Sequence, residues 1–499
     1  MMRMLGIDLG TTNRKVGLFE ENGEVVGIVS RPTLTQDTGE GYVVYDAEQL
    51  WTDVVEMIRE LTEQHGGANI AAIGIASMAE SGLLLHKDSG AIQSPLLPWF
   101  DTSSTPQAER VREADERLKL FQRSGLHLSF KHGLPKLLWL HDRDPDMFRD
   151  ARWVSVSGFI AYRLSGVMAF DPSLATRTFV YDMRTNDWDR EWIQNFGLSP
   201  DLFPDVYPSG APLGSVKPEL MQALGLSSAP AVAVSGHDHV CASLAVGAVA
   251  PGDVFASMGT AETLVGLMEP TKLGEEDFQT GLSYGYHVIP GLRFWMGGNP
   301  SSGGSLEWIR RQLGDEALSY DEVRALLTQA ERYPCDVMFF PYLSGSGAPH
   351  PNSNTRGAFI GLSNNHGKAE LLQAVCEGTS YQLEMIRRSG ERVCNQSITE
   401  MRAVGGGTRA EPWLQMKADV TGATMIVPTV DEATLLGAAY TAMLGTGHIA
   451  DGAAIQRLIE QRGTKRVEAR AELHERYQRA YAQRYEPTAA FLRQLPNIE

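Results

Sequence analysis

Apolar residues follow two rhythms along this chain, and the rhythms sort it into strands and helices. LGIDLG near the N-terminus is a short apolar run closed by Gly-Thr-Thr, and KVGLFEE follows as a second run. Asn22-Gly23 marks a tight turn, and EVVGIVS returns as a third strand. The period changes in AEQLWTDVVEMIRELTEQ, where Leu50, Val54, Met57, Ile58 and Leu61 share one helical face. IAAIGIAS reads as a buried strand, and PKLLWLHDRDPDMF as a helix starting after Pro135.

The second half restates the opening. VFASMGTAETLVGLM is again strand, Gly-Thr, strand, with GLSYGYHV as the expected third. Thr11 and Thr260 stand 249 residues apart, about half the chain, so the spacing suggests two related halves facing each other. A strand at VMFFPYL, a Gly/Ser-rich loop and a helix at KAELLQAVCEGTSYQLEMIRRSGERV follow. Next come a strand at EMRAVGGG and helices at EPWLQMKADVTG and EATLLGAAYTAML. Leu473, Tyr477, Tyr481 and Tyr485 recur at four-residue steps, the packing stripe of a C-terminal helix. Alternation of this kind predicts an α/β class with parallel or mixed sheets.

Length and charge narrow the picture. At 499 residues the chain suits two domains. Its net charge of −17 argues against general nucleic-acid or anionic-membrane partners. A local anion site remains open, since backbone N–H groups can hold phosphate. Fifty glycines suggest tight turns and close backbone approaches to a ligand. The four cysteines are scattered without a CxxC pair, and MMRMLGIDLG runs straight into a strand without a leader segment. No window reaches the ~18 apolar residues of a membrane span. The expectation is a cytoplasmic protein without a zinc cluster.

Three stretches carry candidate chemistry. In DLGTT, Asp8 closes a buried strand before Gly and the hydroxyls of Thr11 and Thr12. Such a turn can hold Mg²⁺ through water and offer donors to a phosphate, or serve only as a capped strand end. SMGTAE repeats the arrangement at Gly259 and Thr260, and two phosphate hairpins facing each other would make a nucleotide clamp. In AVGGGTRAEPW, Gly405, Gly406 and Gly407 lead from a strand into a helix, where bare backbone can lie against a nucleotide. There is no GxxxxGK[ST] and no GxGxxG opening a first βαβ unit, which disfavours a P-loop NTPase or a dinucleotide oxidoreductase. Residues 231–242 read AVAVSGHDHVCA, with Asp238 between His237 and His239. If the strand continued through them, the histidines would share one face and Asp238 the other, so the three could not ligate one metal. An Asp just past a strand end can instead take the proton from a substrate hydroxyl. A structural hydrogen-bonding role is the plainer alternative.

Taken together these segments resemble the FGGY carbohydrate kinases of the actin-like ATPase superfamily. The resemblance spans nearly the whole chain, through GIDLGTT, WFD at Trp99 to Asp101, DPSLATRTFVYDMRTNDWD, SGHDHVCASLAVGAV, SMGTAE, SSGGSLEW, PYLSGSGAPHPNSNTRGAFIGL, EGTSYQLE, AVGGGTRAEPWLQMKADV and EATLLGAAYTAM. It implies two actin-like, ribonuclease H-like domains with a catalytic cleft between them. Residues 1–245 would bind the sugar and 246–499 the ATP. It implies Asp238 as general base, and Asp8 as the acid that helps hold Mg²⁺, through water. Thr11, Thr12, Gly259 and Thr260 would be phosphate hairpins, with Gly303 bordering the nucleotide and Gly405 to Gly407 backing the adenosine. On the substrate side it implies Met78, Glu80, Trp99 and Asp101. Xylulose-type kinases resemble a Met-His pair near Met78, and glycerol kinases an Arg-Glu pair. Here Ala79 replaces that Arg, and Ser103 stands where an Arg often follows Trp-x-Asp. A homodimer is an assembly the family's habit allows. Trp295 is a further aromatic to place, either cleft wall or core. Two rival readings are a non-catalytic nucleotide or sugar sensor and a metal-dependent hydrolase built on His-Asp-His.

Overall fold

The computed structural model describes residues 2–329 and 332–495. Two mixed sheets organise them. In the first, Arg3–Leu9, Asn13–Glu20 and Val25–Pro32 form an antiparallel meander. Ile70–Ser77 joins Arg3–Leu9 in parallel on its other side, and Ala231–His237 joins Ile70–Ser77 in parallel. The second sheet repeats this plan. Val254–Met258, Glu262–Met268 and Arg293–Asn299 make the meander, and Glu400–Val404 and Thr424–Pro428 the parallel additions. Ser283–Tyr286 and Thr464–Val467 extend its edges. The repeated Gly-Thr turns therefore occupy corresponding corners of two sheets with one strand order.

One expectation is corrected here. The third strand of the second meander is Arg293–Asn299, and GLSYGYHV supplies only the edge strand Ser283–Tyr286. RFWMGGN carries two glycines that interrupt its alternation, so its strand character comes from pairing on both sides. VMFFPYL forms a strand over three residues only, Met338–Phe340, ending before Pro341. The helix expected after Pro135 begins at Gly133 and ends at Arg143. Asp144 is extended, as a residue before proline prefers, and its side chain caps a separate short turn, Pro145–Phe148.

The clear helical stripes are buried as their period requires. On Ala47–His65 the five apolar residues of the stripe are each at most 1% exposed, and Asp46 caps the start by accepting from the Gln49 N–H at 3.0 Å. Tyr477, Tyr481 and Tyr485 pack into an aromatic cluster with Tyr381 and Phe340. Trp295 is wholly buried, its Nε1 3.2 Å from the Cys394 sulfur, so it is core and not cleft wall.

The two halves meet through small residues. Helix Ala433–Gly445 lies across the first sheet and against helix Asp238–Ala245, sharing a core with Met4, Ala72 and Ala233. A Cβ added to Gly437 would stand 1.9 Å from the Cys241 carbonyl oxygen, so only glycine permits this approach. His287 adds a polar tie. Its Nδ1 accepts from the Ile289 N–H at 3.1 Å, and its Nε2 lies 2.9 Å from Ser243 Oγ. Ser243 already donates to the Val240 carbonyl, so the ring is satisfied only when neutral, with its proton on Nε2. Burial pushes its pKa down to about 3. The unfolded ring takes its proton near 6.5, so this contribution to stability is present above that pH and is lost as pH falls toward 3. Between pH 7.5 and 5 the wild type should lose about 2 kcal/mol more than His287→Gln in denaturant titrations. Equal losses would contradict this assignment.

Candidate active site

The parallel strands of the first sheet end together. Register places Leu9 beside Ser77 and Ser77 beside His237, so the segments after each emerge at one edge. This is where open α/β sheets place ligands. The three segments carry Gly10 to Thr12, Met78 to Glu80 and Asp238.

The strand Ala231–His237 does not run through His-Asp-His. It ends at His237, and Asp238 is the first residue of helix Asp238–Ala245. The alternation argument for the histidines therefore does not apply. Their rings meet edge to face at 5.7 Å. The break has identifiable supports. A bulge before Gly236 shifts the register, and the His237 N–H donates to Ser173 Oγ at 2.9 Å. Ser173 in turn donates to buried Asp171 at 2.6 Å, as does Ser209 at 2.7 Å. Asp238 is partly exposed; its Oδ1 accepts from the His239 N–H at 2.7 Å and lies 3.2 Å from His237 Nε2. Burial pushes His237 down to about 3, against the pull of Asp238, so its ring is neutral. A neutral ring and a helix N-terminus leave a fixed, anion-compatible carboxylate at the edge of the cleft.

Asp8 faces the same space. Burial first, and then the charge of Asp238, push its carboxyl up to about 8, against the pull of Lys15. Its Oδ1 is buried without a partner. Lys15 is held at 2.8 Å by Glu432, at the start of the helix that joins the halves. Among the described residues no group of three or more His, Cys, Asp or Glu is placed to hold a metal alone. Two neighbouring carboxylates, one with an unused oxygen, do fit Mg²⁺, which takes one or two carboxylates with waters and substrate phosphates.

The substrate-side candidates divide. Glu80 follows the strand Ile70–Ser77, in a left-handed conformation (φ 61°) unusual for a side-chain-bearing residue. Its Oε1 takes a hydrogen bond from Arg177 Nε at 2.9 Å and a second, short one from Nη2. Burial would raise this carboxyl, but Arg177, Lys131 and His132 outweigh it and hold it at about 2. Met78 is buried. Trp99 is half-buried and donates from Nε1 to Thr11 Oγ1 at 2.8 Å, tying it to the first Gly-Thr turn. Asp101 is committed to the backbone: it accepts from Val43 N at 2.9 Å, from Ser103 N at 3.0 Å and from the Ser103 hydroxyl. Thr12 is exposed toward solvent.

On the second sheet, Ser257 pairs with Val404, so the Gly259–Thr260 turn and Gly405 also leave one edge. The Gly303 N–H donates to the Gly259 carbonyl at 3.1 Å and the Gly304 N–H to that of Thr260 at 2.9 Å. Behind the turn, Glu262 receives Ser302 Oγ and Lys417 Nζ, each at 2.9 Å, with both charged groups fully buried. Gly259, Thr260, Gly405 and Gly406 are exposed. Gly405 has φ +102°, and a Cβ there would stand 2.6 Å from the Met258 carbonyl oxygen. Gly405→Ala should therefore destabilise by about 1–3 kcal/mol. A Cβ on Gly406 meets nothing within 4 Å. Gly406→Ala should leave the melting temperature unchanged and raise KM for ATP; an unchanged KM would separate this loop from the nucleotide.

Arg177, Lys131 and His132 went unrecognised in the sequence. DPSLATRT was visible as a segment, but nothing in it singles out Arg177. A groove of about 1030 Å³, lined by Tyr181, Tyr207, Tyr286 and Arg293 among others, includes none of the candidate residues. Asp8, Asp238 and the segment leading to Glu80 instead gather at the strand ends of the first sheet. Among the described residues no helix is long and apolar enough to cross a membrane.

Comparison with known proteins bears on what such a cleft does. Residues 3–245 match the N-terminal domain of the FGGY family of carbohydrate kinases, and residues 254–446 match its C-terminal domain. A gluconokinase from Bacillus subtilis is 26% identical over 470 residues, covering 91% of this chain and 90% of that protein. A xylulose kinase from the same organism is 28% identical over 463 residues, covering 90% and 89%. The crystal structure of a gluconate kinase from Lactobacillus acidophilus superposes with a TM-score of 0.90 over 99% of both chains at 22% identity, a likeness of fold.

Proposed function

Since the chain belongs to the FGGY family of carbohydrate kinases, we propose that it transfers the γ-phosphoryl group of ATP to one hydroxyl of a small sugar or polyol, with Asp238 as general base. The observation that carries this reading is that Asp8, Asp238 and the segment leading to Glu80 lie at the ends of three neighbouring parallel strands. Residues 1–245 would hold the sugar and 246–499 the nucleotide.

Glu80 accepts sugar hydroxyls through Oε2, since Arg177 occupies Oε1. Trp99 forms an apolar wall over C–H faces, and Met78 and Asp101 shape that wall from behind. The attacking hydroxyl sits against Asp238, which takes its proton as the oxygen bonds to the γ-phosphorus and the bond to the β–γ bridging oxygen breaks. ADP carries away the negative charge. Thr11 and Thr12 on one side, and the Gly259–Thr260 turn on the other, direct N–H and O–H groups at the phosphates. Gly303 braces the second turn, and Gly405 to Gly407 lie under the adenosine. Asp8 would hold Mg²⁺ through water, and the ion, when bound, offsets phosphate charge. Catalysis then rests on alignment and electrostatics. Closing the two halves about the small-residue contact at Gly437 would exclude water.

The test is ADP release with Mg-ATP across pentuloses, hexuloses, pentitols, sugar acids and glycerol. One substrate raising the rate well above the sugar-free background supports the reading. ATP binding with no response to any sugar would favour a nucleotide sensor.

A further inference from the structure

The substrate end of the cleft carries more positive charge than its own carboxylates answer. Arg177 has a side chain 6% exposed and gives Nε and Nη2 to Glu80, yet its Nη1 is buried with no partner. Lys131 stands close enough to Glu80 and Arg177 for each to influence its protonation, yet among the described residues no carboxylate comes within 4 Å of its ammonium. His132 is buried beside them, stacked on Phe179. Its Nδ1 accepts from the Ser129 N–H at 3.2 Å, so the neutral ring carries its proton on Nε2 as a further donor. Lys136 is already occupied, donating to the Lys131 carbonyl at 2.9 Å and the Trp99 carbonyl at 3.3 Å. Glu80, which Arg177 holds, follows the strand Ile70–Ser77 that pairs with the strand ending at His237, so this cluster and Asp238 lie at the ends of neighbouring strands.

An unpaired guanidinium edge and a nearby ammonium left without an anion are costly unless a ligand completes them. A neutral polyol offers hydroxyls and no charge. We propose that the substrate is a polyhydroxy carboxylic acid of the aldonate type. Its carboxylate binds between Lys131 Nζ and Arg177 Nη1. Its hydroxyls reach Glu80 Oε2 and the His132 N–H, and a hydroxyl further along the chain meets Asp238. This rests on the kinase reading above and narrows it. Lys131 is then the residue that sets specificity for the acid, and Arg177 both holds Glu80 and reads the carboxylate.

The experiment compares matched pairs by ADP release. D-gluconate and D-xylonate are set against D-glucitol, xylitol, D-xylulose and glycerol, with wild type, Lys131→Met and Lys131→Arg. The wild type should favour an acid over its matched alditol. Lys131→Met should lower kcat/KM for that acid roughly 30-fold or more, mainly through KM, the loss expected for truncating one partner of a buried charge pair. Lys131→Arg should recover most of it. Thermal shift gives a second readout: the acid should raise the melting temperature of the wild type and not of Lys131→Met. A neutral member turned over best, or an acid indifferent to Lys131→Met, overturns the proposal while leaving the kinase reading intact. No ADP release with any member overturns both.

Discussion

Asp238→Asn should lower kcat by about 10²–10⁴-fold while leaving the melting temperature and ATP binding nearly unchanged. Asparagine keeps the shape and can still accept the His239 N–H that Oδ1 receives at 2.7 Å. What it loses is the ability to take a proton. The position is otherwise well supported: Ser173 anchors the strand end, and neutral His237 lies 3.2 Å from the carboxylate. A fall in kcat with unchanged fold therefore isolates proton transfer from positioning. Ser173→Ala provides the contrast, since it releases the anchor and should weaken stability and kcat together. Wild-type turnover in Asp238→Asn would remove Asp238 as the base.

The second large effect lies in the second sheet's half of the chain. Lys417 and Glu262 form an ion pair with both side chains wholly buried, and Ser302 adds a hydrogen bond to Glu262. The pair connects the base of the Gly259–Thr260 turn to the helix that follows the Gly405 loop. Lys417→Met leaves Glu262 buried without its cation and should destabilise by about 3–5 kcal/mol. Adding Glu262→Gln removes the stranded charge, so the double variant should be more stable than Lys417→Met alone. Thermal melts of the four proteins test this. A double variant as unstable as the sum of the singles would show that the two residues do not act as a pair.

Local order was legible where period and punctuation agree. Ala47–His65 and Lys368–Cys394 carry long stripes, and the two Gly-Thr corners mark the doubled sheet. Arg293–Asn299 was not legible, because its glycines carry no strand signal and its pairing depends on distant neighbours. The site divides the same way. Asp8 and Asp238 announce themselves at the ends of apolar runs. Arg177 meets Glu80 across 97 residues, and Lys417 meets Glu262 across 155, and no local pattern encodes either encounter. The turn from strand to helix at Asp238 was hidden too, since it depends on Ser173 and Asp171, reached only through the fold. Asp101 stands out by motif, but its bonds to Val43 N–H, 58 residues away, and to Ser103 come only with the fold.

The most direct test of phosphoryl transfer to a sugar is phosphorus NMR of the wild-type reaction with Mg-ATP and the best member of the substrate panel. One phosphomonoester should form per ADP, with little inorganic phosphate, and ATP should remain intact when the sugar is omitted. ATP consumed to inorganic phosphate at the same rate with and without sugar would contradict transfer to the sugar.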